Sequence, residues 1–189
     1  MKKTTLDYLL KVRIPIVIFV AALAFMLTYY VSRPERDSIG YAPQQPISFS
    51  HKLHAGEMLI DCQYCHTAVS KSRFATVPGV SVCMNCHQVA RKNKESIIQL
   101  TKYYEEDKAL TWKRVHRVPD YAYFNHSVHV NKGIDCAECH GRIKDMEVVQ
   151  QVSSFTMGSC LDCHRNAHEK LPGLKKINEG PENCFACHR

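Results

Sequence analysis

Cys62-Gln63-Tyr64-Cys65-His66 is the stretch on which the rest of the chain turns. The same signature, Cys-x-x-Cys-His, returns at Cys83–His87, Cys136–His140, Cys160–His164 and Cys184–His188. These five copies use all ten cysteines: Cys62, Cys65, Cys83, Cys86, Cys136, Cys139, Cys160, Cys163, Cys184 and Cys187. Such a motif is a c-type haem attachment site. The two thiols add to haem vinyl groups as thioethers, and the adjacent histidine binds the iron from the proximal side. The expectation is five covalently bound c-type haems (haem c, iron), with His66, His87, His140, His164 and His188 as proximal ligands.

Two plainer readings compete. Paired Cys-x-x-Cys knuckles also build tetrahedral zinc sites, but zinc does not require a histidine directly after the second cysteine. With 11 His in 189 residues, five such histidines arise by chance on the order of once in a million. A disulfide framework leaves both the strict spacing and the five histidines unexplained.

The length bears on the core. Residues 48–189 carry all five motifs, fewer than about 30 residues for each, too few to wrap a separate hydrophobic core around every haem. The porphyrins themselves are therefore expected to form the core of a multihaem cytochrome c. Such a fold is mostly α-helical and irregular, with little β-structure. The formal charge of +7 describes the chain without cofactor. Haem propionates, about two negative charges each, offset much of it, and no nucleic-acid partner is inferred.

Residues 1–13 carry Lys2, Lys3, Lys11 and Arg13 and are expected on the cytoplasmic side. An uncharged run follows over residues 14–31, IPIVIFVAALAFMLTYYV. As a helix it is about 27 Å long, close to the thickness of a bilayer core. Tyr29 and Tyr30 fall where an interfacial aromatic belt belongs, and the preceding cations place the remainder outside. A cleaved signal peptide, cut near Ala22-Leu23-Ala24, is the alternative. The apolar run continues beyond Ala24, which favours a retained single-pass anchor in the cytoplasmic membrane, with the haem region on its periplasmic side. Residues 32–48 are polar and proline-rich and read as a linker, although an ordered arm fits the same composition.

An internal repeat follows. Phe49-Ser50-His51-Lys52-Leu53-His54 precedes Cys62, and Phe124-Asn125-His126-Ser127-Val128-His129 precedes Cys136. Each copy carries a second motif, giving two-haem modules over 49–90 and 124–168. Between them, residues 91–123 form a connector, with a helix expected from about Lys94 to Ala109 on the spacing of Ile97, Leu100 and Tyr104. Trp112 is expected to pack rather than to do chemistry. Residues 169–189 carry the fifth haem.

Six histidines are not proximal: His51, His54, His116, His126, His129 and His168. Electron carriers favour two axial protein ligands, and bis-histidine ligation lowers the potential. His51, His54, His126 and His129 are expected as distal ligands, with His116 as the fifth. His168 and Met157 are the alternatives to His116. No catalytic acid–base pair is apparent.

The Phe-x-His-x-x-His element resembles the ligand pattern of the class III cytochromes, c3 and c7. That resemblance implies that His51 serves the haem of His66 and His126 that of His140. His54 and His129 then cross to the haems of His87 and His164. The whole arrangement, with Trp112-Lys113-Arg114-Val115-His116 before the second module and the stretches CHGRIKDMEVV and FTMGSCLDCHRN after it, also resembles the pentahaem cytochrome subunit of alternative complex III. That complex is a bacterial quinol:electron-acceptor oxidoreductase. The resemblance implies a non-catalytic electron-transfer subunit, relaying electrons from quinol oxidation in a respiratory or photosynthetic complex toward a soluble periplasmic acceptor. It implies partners: an iron–sulfur subunit, polytopic quinol-binding subunits and a monohaem cytochrome c. A C-terminal docking extension is expected to be absent. The alternative is a stand-alone quinol dehydrogenase feeding a periplasmic reductase. A catalytic multihaem reductase is disfavoured, because all five motifs end in histidine.

Overall fold

The structure, a computed structural model, describes residues 3–31, 38–174 and 178–189. It divides into an N-terminal unit and a larger unit spanning Ser38–Arg189. In the first, helix α1 (Lys3–Tyr8) runs through a π turn (Leu9–Arg13) into helix α2 (Ile14–Val31). The cause of the wider turn is local: Pro15 has no N–H to return to the preceding turn, and the Ile14 N–H bonds instead to the Leu9 carbonyl, five residues back. Leu6–Val31 has a mean hydropathy of 2.3 and no buried share, so it is one helix long and apolar enough to cross a membrane.

Residues 32–37, the first part of the expected linker, lie outside the described residues, as do 175–177 of the fifth-haem segment. From Ser38 onward the arm is fixed to the larger unit. Gly40 N–H donates to the Gln151 carbonyl (2.7 Å), and Gln151 N–H returns a bond to Tyr41 (3.1 Å). The Gln45 side chain exchanges two bonds with the Lys113 backbone, and Ile47 is buried in the core.

The larger unit has no β-strand among its described residues. Its elements are short helical turns in long irregular segments: α3 (Cys62–Cys65), α4 (Val80–His87), α5 (Glu95–Glu105), α6 (His126–Val130), α7 (Cys136–His140), α8 (Met157–Arg165), α9 (Ala167–Lys170) and α10 (Cys184–Cys187). Each attachment motif lies on one of these turns or runs one residue past it. The i, i+3 and i+4 spacing of Cys, Cys and His then places all three on one side of a single helical turn. Polar residues start most of these turns. Asp61, Asp135 and Asn183, directly before the first cysteine, accept from the N–H groups of Gln63, Ala137 and Ala186, and Thr156 accepts from Ser159. That is N-capping, worth about 1 kcal/mol each.

Helix α5 is shorter than the sequence pattern suggests. Its apolar face, Ile97 and Leu100, is buried with Ile47 and Met84. It stops at Glu105 because Asp107 adopts φ 48°. The Lys108 N–H then reaches back to Tyr103 and the Asp107 N–H to Tyr104, a Schellman ending built on aspartate in place of glycine. A Lys102–Glu106 pair is present at 3.9 Å, but both side chains are substantially exposed, so it adds little.

The protein side chains alone make a thin core. Among the described residues, only Ile47, Val69, Met84, Ile97, Leu100, Ala167 and Leu171 are buried apolar groups. Meanwhile Val89, Leu59, Phe185, Tyr121 and Met157 stand largely exposed. A soluble unit of this length normally buries far more. The deficit is what a fold with porphyrins as its core requires.

Candidate haem-binding site

The ten cysteines are free thiols, and no disulfide forms. Among the described residues no three His, Cys, Asp or Glu side chains converge as a metal-ion cluster, against the zinc alternative. Burial pushes the thiols of Cys65, Cys83, Cys136, Cys139 and Cys160 up from their ordinary value.

The histidines carry the stronger signal. His54 and His87 have ring centres 6.3 Å apart, His126 and His140 6.3 Å, and His129 and His164 6.3 Å. A metal–imidazole bond of about 2.0 Å, with the ring centre about 1.1 Å beyond the nitrogen, puts two imidazoles on opposite sides of one iron about 6.2 Å apart. Three pairs therefore have the spacing that a six-coordinate iron needs. Among the neighbouring imidazoles, that of His66 acts most strongly on His51.

Ring nitrogens are disposed to match. Nδ1 of His66, His87, His164 and His188 faces the carbonyls of Thr76 (2.6 Å), Ala90 (3.1 Å), Pro181 (2.8 Å) and Tyr121 (3.1 Å). Nδ1 of His54, His126 and His129 faces Ser50, Arg73 and Asn125, each at 2.8 Å. A carbonyl on Nδ1 fixes the tautomer and leaves Nε2 free for metal. Burial first, then neighbouring imidazoles, push His51 and His140 down to about 4. His116 and His129 are also lowered, chiefly by burial. These rings are neutral at physiological pH, the form that ligates.

Phe49 and Phe124 hold the distal rings in place. Phe49 stacks on His54 (4.4 Å, 27°) and meets His51 edge-on (4.9 Å, 87°). Phe124 repeats this with His129 (4.6 Å, 29°) and His126 (4.8 Å, 85°). Trp112 meets the Phe49 ring edge-on at 6.3 Å, the packing role expected of it.

His116, expected as the fifth distal ligand, lies against His140, with ring centres 4.4 Å apart at 81°, and beside Phe155. Its ring hydrogen-bonds the Gln150 backbone, and its Nε2 is buried without a partner. The connector turns at Arg117–Asp120, where those two side chains pair at 2.9 Å, and this folds His116 onto the third motif. The aromatic neighbour of His188 is Tyr121, at 6.0 Å. His168 is exposed on α9, and Met157 is 66% exposed at the start of α8.

Several supporting residues escaped the sequence reading. An added Cβ at Gly180 would enter the His164 ring, and one at Gly56 would strike the Lys144 carbonyl. The capping Asp61 and Asp135 were readable, since an N-cap residue before each Cys-x-x-Cys turn is a sequence signal. The carbonyl partners Arg73 and Pro181 were not, because they come from distant segments.

Comparison with known proteins agrees with this geometry. Residues 29–118 match the class III cytochrome c family, and residues 122–189 match cytochrome c7 and related cytochromes c. The chain is 25% identical over 167 residues, 77% of each chain, to a protein of Nitratidesulfovibrio vulgaris strain Hildenborough named "Menaquinone reductase, multiheme cytochrome c subunit". Free paired thiols, imidazole pairs at iron-spanning distance and a core too thin without porphyrin converge with these matches: the fold is that of a multihaem cytochrome c, an electron-transport protein with covalently bound c-type haem.

Proposed function

We propose that this chain is a membrane-anchored pentahaem cytochrome that relays electrons between a quinol site and an acceptor on the periplasmic side of the cytoplasmic membrane, as a subunit of a complex of the alternative complex III type. The observation that carries the reading is the set of three histidine pairs at 6.3 Å in a chain that also has a helix apolar enough to span a bilayer. Bound through two thioethers, each c-type haem supplies reversible one-electron exchange at iron.

The chain's residues provide the rest. All ten cysteines hold the five haems, and His66, His87, His140, His164 and His188 take the proximal positions. His51, His54, His126 and His129 close the distal positions of the first four, in that order of partners: His66, His87, His140 and His164. At the His54–His87 and His129–His164 sites, two imidazoles held on carbonyl-fixed tautomers keep the ligand set unchanged between redox states, which keeps reorganisation small. Phe49 and Phe124 lock the ring planes. The domain order proposed from the sequence is retained: anchor, arm, two duplicated two-haem modules around a helical connector, and a terminal one-haem segment. Quinol-binding and iron–sulfur subunits and a monohaem cytochrome c are the proposed companions.

The opposite direction of flow has its own support. The N. vulgaris relative is named a menaquinone reductase, which corresponds to electrons entering from the periplasmic side and leaving to quinone. Gentle detergent purification tests both readings. The account expects co-purifying membrane subunits and quinol-driven reduction of all five haems. Quinone reduction without quinol oxidation selects the second direction. A chain that runs alone and oxidises quinol unaided contradicts the subunit reading.

A further inference from the structure

The attachment motifs are not laid out in chain order. Asn85 of the second motif donates to the Tyr64 hydroxyl of the first at 3.1 Å, and Cys83 lies beside Cys65. Cys62 of the first motif lies close enough to Cys136 of the third to act on its thiol. The backbone of Ser127 and His126 donates to Ser72 and Arg73, just after the first motif. The third and fourth motifs share α6: His126 faces His140 and His129 faces His164. Their cysteines Cys139 and Cys163 are neighbours. The fourth and fifth are joined by the Gly180 N–H on the His164 carbonyl (3.0 Å), and Cys160 lies near Cys187. The series is second, first, third, fourth, fifth, with the second motif at one end; the fifth also meets the connector through the Tyr123 N–H on the Cys187 carbonyl (2.6 Å).

The second-motif end has a distinctive surface. The His87 Nδ1 faces the Ala90 carbonyl, so the turn that follows is hydrogen-bonded to the proximal ligand itself. That turn is pinned by Val89 and Ala90 N–H on Cys86 and by Lys94 N–H on Arg91. It forms an open concavity of about 570 Å³ lined by Val89, Arg91, Lys92, Asn93 and Lys94. Val89 is 81% exposed at its edge. The three cations are exposed and, among the described residues, none is in an ion pair. An exposed apolar side chain beside unpaired charge of one sign is the form of a transient electron-transfer interface. The fifth-motif end differs: it presents Phe185 at 82% exposure and an Arg165–Glu182 pair at 2.7 Å.

We propose that the Val89–Lys94 turn is the docking surface of an acidic electron-transfer protein, at the terminal haem of the relay held by Cys83, Cys86 and His87. The proposal rests on the relay reading above. One electron crosses the interface, one partner being oxidised as the other is reduced, and no bond is made or broken. Cationic focusing raises the encounter rate and is screened by salt.

The test uses the full haem-loaded chain in detergent, pre-reduced, mixed in stopped flow with an acidic monohaem cytochrome c and, separately, with a basic one of matched potential. With the acidic probe the second-order rate falls steeply with ionic strength. The Arg91→Glu, Lys92→Glu, Lys94→Glu variant loses at least about tenfold of that rate at low salt, with unchanged haem spectra. A control reversing Lys113, Lys132 and Lys144 by the same total charge loses far less. Equal losses in the two variants, or a faster reaction with the basic probe, overturn the proposal. Quinol-driven reduction of the intact complex, read with ferricyanide as acceptor, reports on the relay reading separately: its failure leaves the docking result standing, and the reverse also holds.

Discussion

The two modules share a ligand element, and the spacer from that element to the first motif differs by one residue. Seven residues separate His54 from Cys62, and six separate His129 from Cys136. In the second copy the element is an ordinary α-helix, His126–Val130, capped by Asn125. In the first copy Lys52–Glu57 is a π turn, with the Met58 N–H on Leu53. The equivalent closing bonds count the difference directly: Ile134 N–H reaches His129, while Ile60 N–H reaches His54 from one residue further on. A π turn absorbs a one-residue insertion without rotating what lies before it. The Phe–His–His ring geometry is accordingly preserved to within a few tenths of an ångström and a few degrees. Ligand placement is thus the invariant, and the backbone between ligand and motif is where the copies diverge.

The modules also differ in how their imidazoles are turned. The His54 and His87 rings cross at 62°, whereas His126 and His140 lie at 3° and His129 and His164 at 23°. On the proposed ligation, equal sequences at the ligands would give unequal electronic environments at the irons.

The largest expected effect comes from removing a distal ligand in either copy. His54→Ala and His129→Ala should each convert one haem equivalent from low spin to high spin, seen in the visible and EPR spectra of the purified chain. If one substitution leaves the spectra unchanged, the copies are not equivalent in ligation. Removing the stacking ring comes next. Phe124→Ala should cost roughly 1–3 kcal/mol of stability for a half-buried aromatic. Phe49→Ala should cost about 1 kcal/mol more, because its edge contact with Trp112 is lost as well. Chemical denaturation of the two variants checks the order. The smallest effect sharpens the π turn itself. Gly56→Ala pushes a methyl into the Lys144 carbonyl and should cost about 1–3 kcal/mol. Asn131→Ala, at a comparable place in the second copy, loses only the bond to the Ser70 carbonyl, about 1 kcal/mol.

What the sequence made legible is local. The five Cys-x-x-Cys-His turns, the repeated Phe-x-His-x-x-His and the apolar face of α5 are all fixed by spacing within a few residues. The end of α5 was harder, because Asp107 takes a left-handed conformation usually left to glycine. The surroundings of His116 were hidden for a different reason. Counting histidines against open sites says nothing about where the connector folds, and the turn at Arg117–Asp120 carries this ring to His140. The carbonyls that fix His126 and His164 come from Arg73 and Pro181, 53 and 17 residues away. No periodicity encodes such contacts. The order of the motifs in space depends on the same long-range adjacency.

The central claim is that paired imidazoles span an iron at the His54–His87, His126–His140 and His129–His164 sites, crossed at the first and nearer to coplanar at the other two. Low-temperature EPR of the oxidised, haem-loaded chain reads this directly, since the angle between axial imidazole planes sets the anisotropy of a low-spin ferric haem. The account predicts rhombic low-spin signals from the His126–His140 and His129–His164 sites, lost one at a time in His126→Ala and His129→Ala. It also predicts a separate, strongly anisotropic signal from the His54–His87 site. A spectrum dominated by high-spin iron, or one in which His54→Ala removes a rhombic signal and leaves the anisotropic one intact, would contradict it.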